Sequence, residues 1–299
     1  MTKLKRDARA WVHRVKMGKA RLWAVVEGKD FDTPYYERLL SPITGEGTRI
    51  MLAEDLEVDG TSAGGKTHVL KIFKLFESES ALRQENKATA VDVMFFLDQD
   101  DDSFTQKMVT NDHVVYTEHA DIEAEIVARS NPAEAVSIAF GLPREVAAGI
   151  DMGSLLRDLA EMWDRWIILR LASAKAEWSD TRFAQKSRIN VPMHGAVDDS
   201  RVDAICARVV AACPDWETLY SEAEKYFANA KSVGQHGHLV KGKWAPWLLI
   251  KRVRDSVPTG RGLPTVGEAY MLGALLMSID FSAQWAEPVR EKIRLVLAA

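Results

Sequence analysis

The sequence predicts an α/β protein, with a parallel sheet flanked by helices in residues 1–130 and a mainly α-helical region in 131–299. Three observations carry the α/β prediction. Leu22–Val26 and Val93–Leu97 are short, unbroken apolar runs, the mark of strands buried on both faces. Each run stops at carboxylates: Glu27 after the first, and Asp98, Asp100, Asp101 and Asp102 after the second. Strand and helix patterns alternate as far as about residue 125, as right-handed crossovers require, and only helical spacing follows.

Taken in order, Ala8 to Met17 reads as a short basic helix ahead of the Leu22–Val26 strand. Thr33 to Leu40 follows as a helix, with Thr33 as N-cap and Pro34 at the first helical position. Ser41 to Gly47 is a Pro/Gly loop, Thr48 to Ala53 a strand, and Glu54 to Gly65 a polar, glycine-rich connection. Lys66 to Glu77 is amphipathic, with Val69, Leu70, Phe73, Leu75 and Phe76 inward. After the acidic strand end, Ser103 to Met108 is a short helix and His113 to Tyr116 another strand. Asn131-Pro132 opens a helix that Gly141-Leu142-Pro143 breaks. Ser154 to Trp178 reads as one long helix; Asp199 to Ala212, Asp215 to Ala230, Pro246 to Val253 and Thr265 to Ser278 complete the helical part.

The formal net charge of −4 excludes polyanion binding by bulk charge, but the distribution is uneven. Residues 1–21 carry eight Lys and Arg against Asp7 alone, and residues 92–125 carry ten acids against Lys107. A basic arm beside an acidic centre suits a metal site approached by a phosphate backbone, and equally a solvated helix face. Cys206 and Cys213 match neither a zinc pattern nor a disulfide framework, as expected of a reduced, cytoplasmic protein. No apolar run is long enough to span a bilayer, so no membrane role is expected.

In a parallel sheet, ligands sit beyond the carboxyl ends of the strands. If the two acidic-ended strands are neighbours, Glu27, Asp98 and Asp100 form a cluster whose mutual repulsion a divalent cation relieves, Mg²⁺ or Mn²⁺. Such a site suits phosphoryl chemistry. Glu118, Asp121 and Glu123, beyond the later strand, are candidates for a second metal position, whereas Asp101 and Asp102 read as a loop capping the next helix.

The segments VVEGKDF at 25–31, FFLDQDD at 95–101 and VVYTEHADIE at 114–123 resemble the TOPRIM domain of topoisomerases, primases and some nucleases. The chain is most similar to a TOPRIM-like effector family of antiphage defence, the PARIS type, which is paired with an ABC-type ATPase. Gly64-Gly65-Lys66 before a helix and the later Val240-Lys241-Gly242-Lys243 segment add to the likeness. It covers about residues 25–125 well and the helical half weakly. The resemblance implies a nuclease with RNA, in particular transfer RNA, as substrate, restrained by the ATPase and active as a homodimer. It implies catalytic roles for Glu27, Asp98, Asp100 and Glu123, with Glu27 as general acid/base or metal ligand and Asp98 and Asp100 holding the metal. Lys29, Lys66, Lys241 and Lys243 are the candidate contacts to substrate phosphate.

Two other readings compete. Gly60 to Thr67 satisfies the G-x-x-x-x-G-K-[ST] phosphate-loop pattern, but the acidic residues before it do not form the buried strand that motif requires. A TOPRIM-derived module that binds a partner ATPase without chemistry of its own is the second. Trp244 and Trp247 among Lys241, Lys243, Lys251, Arg252 and Arg254 suggest base stacking or, equally, core packing; His236 and His238 read as a turn.

Overall fold

The computed structural model describes residues 6–28, 30–86, 89–177, 199–257 and 262–299. The chain forms two compact units: Met1–Asp98 with Val109–Thr117 and Asp280–Ala299, and Gln99–Met108 with Glu118–Ile279. The division is interleaved along the chain rather than falling near residue 130.

The first unit opens with β1 (Arg6–Asp7) and α1 (Ala8–Met17), followed by β2 (Leu22–Val26) and α2 (Asp32–Thr44). Next come β3 (Thr48–Leu52), β4 (Leu56–Glu57), α3 (Lys66–Ser78), β5 (Arg83–Asn86) and β6 (Thr89–Leu97). β7 (Val114–Tyr116) and the C-terminal helix (Glu287–Ala298) complete it. The main sheet runs β3-β2-β6 in parallel. Along the outer edge of β6, β5 pairs antiparallel with the first half and β7 parallel with the second. The α/β class is as the apolar runs require.

The continuous apolar character of β2 and β6 has a direct cause. Trp23, Val25, Val93, Phe95 and Leu97 join one buried cluster with residues of α1 and α3, including Trp11, Val15, Ile72, Phe73 and Phe76. Phe96, at the alternate position, lies 4.4 Å from the Tyr36 ring of α2, so both faces of the sheet are covered. Trp11 meets Trp23 edge-on at 5.0 Å, which makes the basic α1 a packed element of this unit.

Several sequence expectations shift. α2 begins at Asp32 with no side-chain cap, so Thr33 is not the N-cap; it runs through Pro42 and stops at Gly45, whose φ of 56° suits glycine. Pro42 lacks only one amide hydrogen bond in the last turn and does not end the helix. Ile72 joins the buried face of α3, and Leu70 and Leu75 are only partly buried. β5 went unseen because Arg83-Gln84-Glu85-Asn86 carries no apolar residue. The C-terminal helix, also unseen, is tied into this unit by three basic side chains. Arg290 Nε donates to Leu39 O at 3.1 Å, Lys292 Nζ to Val114 O at 2.6 Å, and Arg83 Nη1 to Val296 O at 2.7 Å.

The second unit contains α4 (Asp102–Thr105), α5 (Ile122–Arg129), α6 (Pro132–Phe140), α7 (Arg144–Ala148), α8 (Leu155–Met162) and α9 (Asp164–Lys175). α10 (Asp199–Ala212), α11 (Trp216–Ser232), α12 (Ala245–Ser256) and α13 (Glu268–Met277) follow. The expected long helix from Ser154 is two helices, broken at the fully buried Trp163 (φ −120°); its expected end, Trp178, lies outside the described residues. Among the described residues no helix is long and apolar enough to cross a membrane.

Asp92 in β6 is fully buried, and its carboxylate receives Arg83 Nη1 at 3.2 Å. Burial pushes its pKa up, opposed by the charges of Arg83 and His113. Arg83→Ala strands this group and should lower unfolding free energy by about 3 kcal/mol. A carboxyl whose folded pKa is raised binds more protons folded than unfolded, so its contribution to stability falls as pH rises. The loss, measured by urea denaturation, should therefore be larger at about pH 8 than at about pH 5. Equal losses at both would contradict this reading of Asp92.

Candidate active site at the strand ends

Parallel pairing of β2 with β6, Val25 opposite Phe95, sends both chains off the same edge of the sheet. Glu27 follows β2 directly and Asp98 follows β6. The Asp98 backbone N–H donates to Glu27 Oε1 at 2.8 Å. The two acidic strand ends are thus neighbours, the condition on which the sequence reading depended. Gly28 N–H donates to Asp32 Oδ1 at 3.1 Å, and a Cβ at Gly28 would lie 2.9 Å from Asp32 Oδ2. The glycine after Glu27 therefore lets the turn close onto α2. Gly64 comes against the other side: a Cβ there would lie 3.6 Å from Glu27 O. Lys66 begins α3 behind Gly65, whose φ of 89° favours glycine. Lys29 lies outside the described residues.

This geometry also tests the phosphate-loop pattern. The strand before Gly60 is the two-residue β4, paired with β1 in a separate small sheet. No buried central strand feeds the loop, so the context that motif needs is missing.

The remaining candidates belong to the second unit. Asp100 has φ 49°, its N–H donates to Ala120 O at 2.7 Å, and its carboxylate is ion-paired with Lys241. Asp101 makes no capping bond to α4; it pairs with the buried Arg170 at 3.1 Å, and Arg170 Nη2 also donates to Leu239 O at 2.9 Å. Asp121 is the N-cap of α5, accepting from Ala124 N at 2.8 Å and from Gly242 N at 2.9 Å. Burial, and then the charge of Glu123 in the first turn of α5, push its pKa up to about 7. The two N–H donors and Lys243 act in the opposite sense.

Gly242 holds the Val240–Lys243 segment against α5. A Cβ at this position would overlap Ala124 N and Glu123 C, so only glycine fits. Trp244 packs edge-on to Trp163 at 4.9 Å and Trp166 at 5.2 Å, which makes it a packing residue rather than a platform for bases. His236–His238 is a 3-10 turn packed on the His119 ring. Sequence reasoning passed over Glu125 and Arg129. Glu125 is buried, accepts from His119 N at 2.9 Å and faces Arg129 Nε at 3.5 Å, an i,i+4 spacing that was legible.

Among the described residues no three His, Cys, Asp or Glu side chains are gathered into a metal-holding group. Within the second unit, Asp100 has Lys241 as a counter-ion. Mg²⁺, however, is commonly held by one or two carboxylates, with water and substrate phosphate at its other positions. Glu27 and Asp98, hard oxygen donors on adjacent strand ends, fit that mode in kind and number. No protein-family model matches this chain, and no curated protein is detectably similar to it.

Gly242→Ala should push its segment off the α5 N-terminus, leaving buried Asp121 short of one donor. A loss of about 3 kcal/mol or more is expected in thermal denaturation, from overpacking and the lost hydrogen bond together. A variant as stable as the parent would contradict the described packing.

Proposed function

We propose that the chain is a TOPRIM-like, Mg²⁺-dependent nuclease, the toxic effector of an antiphage defence system. On this reading it acts in the cytoplasm on RNA, transfer RNA by the family resemblance, and is restrained by an ABC-type ATPase. The observation that carries it is the hydrogen bond from Asp98 N–H to Glu27, which joins two carboxylate-bearing ends of doubly buried parallel strands. An α/β sheet with acidic groups at the carboxyl ends of its central strands is where phosphate chemistry is expected.

Glu27 is the general base in this reading, held by the Asp98 amide so that its carboxylate takes the proton of the attacking oxygen. As that oxygen bonds to phosphorus, the opposite P–O bond breaks and the departing oxygen is protonated from solvent. Bound Mg²⁺, held by Glu27 and Asp98, would supply charge neutralisation at the phosphate. Lys66, at the start of α3, and Lys241 and Lys243 are proposed to meet the substrate backbone, and Glu123 to support the site. The homodimer belongs to the same proposal.

One observation favours a second reading, a non-catalytic module that binds the ATPase: among the described residues no three His, Cys, Asp or Glu side chains form a metal-holding group. Sequencing of RNA ends in cells expressing wild type or Glu27→Ala separates the two. The nuclease reading predicts new, discrete RNA ends and toxicity in wild type, reduced at least ~100-fold in Glu27→Ala, the scale of a lost general base. Toxicity and RNA ends unchanged by the substitution would sink the catalytic mechanism.

A further inference from the structure

A cavity of about 410 Å³ lies wholly within the second unit. His119, His236, Ser130 and Ser154 give it polar groups, and Leu155 and Leu156 an apolar wall. Its size is within the roughly 300–1,000 Å³ usual for small-molecule sites, and a mostly apolar lining with a few convergent polar groups is their ordinary composition.

The charge of the lining is the informative feature. In a chain with 27% charged residues, no Asp, Glu, Lys or Arg is among the described residues that line the cavity. The charges close behind the lining are already paired, Arg252 with Asp158 beside Gly153 and Arg129 with Glu118 and Glu125, so an entering ion finds none without a partner among them. A buried charge without a partner is strongly disfavoured, so the ligand that fits is uncharged. Burial also lowers the His119 pKa, which favours the neutral ring, able to donate at one nitrogen and accept at the other.

The His119 ring is held in place by close packing. A Cβ at Gly237 would lie 2.6 Å from His119 Nδ1, so the His236–His238 turn seats on the ring only because residue 237 is glycine. Ala120 N–H donates to Gly237 O at 2.8 Å, and His119 N–H to Glu125 at 2.9 Å, fixing the backbone on both sides. Pre-formed polar groups and an apolar wall lining one cavity suit a ligand with an apolar face and a hydrogen-bonding rim.

We propose that this cavity binds a nucleobase, its edge hydrogen-bonded by His119, His236 and the serine hydroxyls, and its face against Leu155 and Leu156. The choice of a base among uncharged heterocycles rests on the nuclease reading above. The base comes either from an unstacked nucleotide of a single strand or from a free nucleoside, and both present the same chemistry.

Ser154 is exposed at the N-terminus of α8 and makes no side-chain capping bond, so Ser154→Trp plugs the cavity with little disturbance to the fold. Full-length wild type and Ser154→Trp, matched by circular dichroism, are titrated with adenosine, guanosine, cytidine and uridine, and with a short single-stranded RNA. Saturable binding weakened more than about tenfold by Ser154→Trp is expected, with ribose 5-phosphate failing to compete. Nucleoside binding assigns a free ligand; binding of RNA alone assigns a base within a strand. No binding of either, or binding indifferent to Ser154→Trp, overturns the proposal. Persisting Glu27-dependent cleavage without cavity binding would sink the base pocket alone, and cavity binding without any cleavage would sink the nuclease reading alone.

Discussion

The parallel pairing of β2 and β6 is the constraint on which the rest of the first unit depends. A strand buried on both faces can keep a carboxylate within its length only with a partner for its charge, as Arg83 is for Asp92 in β6. Acids without such a partner lie beyond the strand ends, and two parallel neighbours leave the sheet at the same edge. Glu27 and Asp98 meet for that reason, and the amide of Asp98 then serves as a hydrogen-bond donor to Glu27. Covering both faces of the same strands requires α1 and α3 on one side and α2 on the other. The first unit draws its C-terminal helix, Glu287–Ala298, from the far end of the chain, held by Arg83, Arg290 and Lys292 donating to backbone carbonyls.

A different economy governs the second unit. Asp121, Glu125, Asp101 and Arg170 are polar groups held in or near its interior by named partners. Buried polar groups persist where their hydrogen-bonding capacity is met, and each loss leaves a group in low dielectric. Gly242 is the clearest case, since its missing side chain is what lets its N–H reach Asp121. The Gly-Lys segment noticed in the sequence therefore has a packing role in this unit, whatever its lysines contact.

Much of the sheet was legible because burial on two faces leaves a plain signature: Leu22–Val26 and Val93–Leu97 could hardly be anything but inner strands. β5 was illegible for the complementary reason, being a short antiparallel edge strand with only polar residues. Glu27 and Asp98 were readable as strand-end acids, but their adjacency was not, since strand order is a property of tertiary packing. The partners of Asp100 and Asp101 were also hidden: Lys241 and Arg170 lie far along the chain, and sequence distance carries no charge-pairing signal. Trp244 among basic residues resembled a stacking platform until Trp163 and Trp166 supplied its neighbours. Pro42 read as a helix stop and Trp163 as a helix interior, and local propensity was overruled at both.

The central claim is that the joined ends of β2 and β6 bind a divalent cation through Glu27 and Asp98. Electron paramagnetic resonance of Mn²⁺ titrated into full-length wild type and Glu27→Gln tests it most directly, without reliance on any substrate. Wild type should bind Mn²⁺ saturably, and the amide, which keeps the acceptor for Asp98 N–H but loses the charge, should weaken binding by about tenfold or more. Absence of Mn²⁺ binding in wild type, or equal binding in both proteins, would contradict the claim.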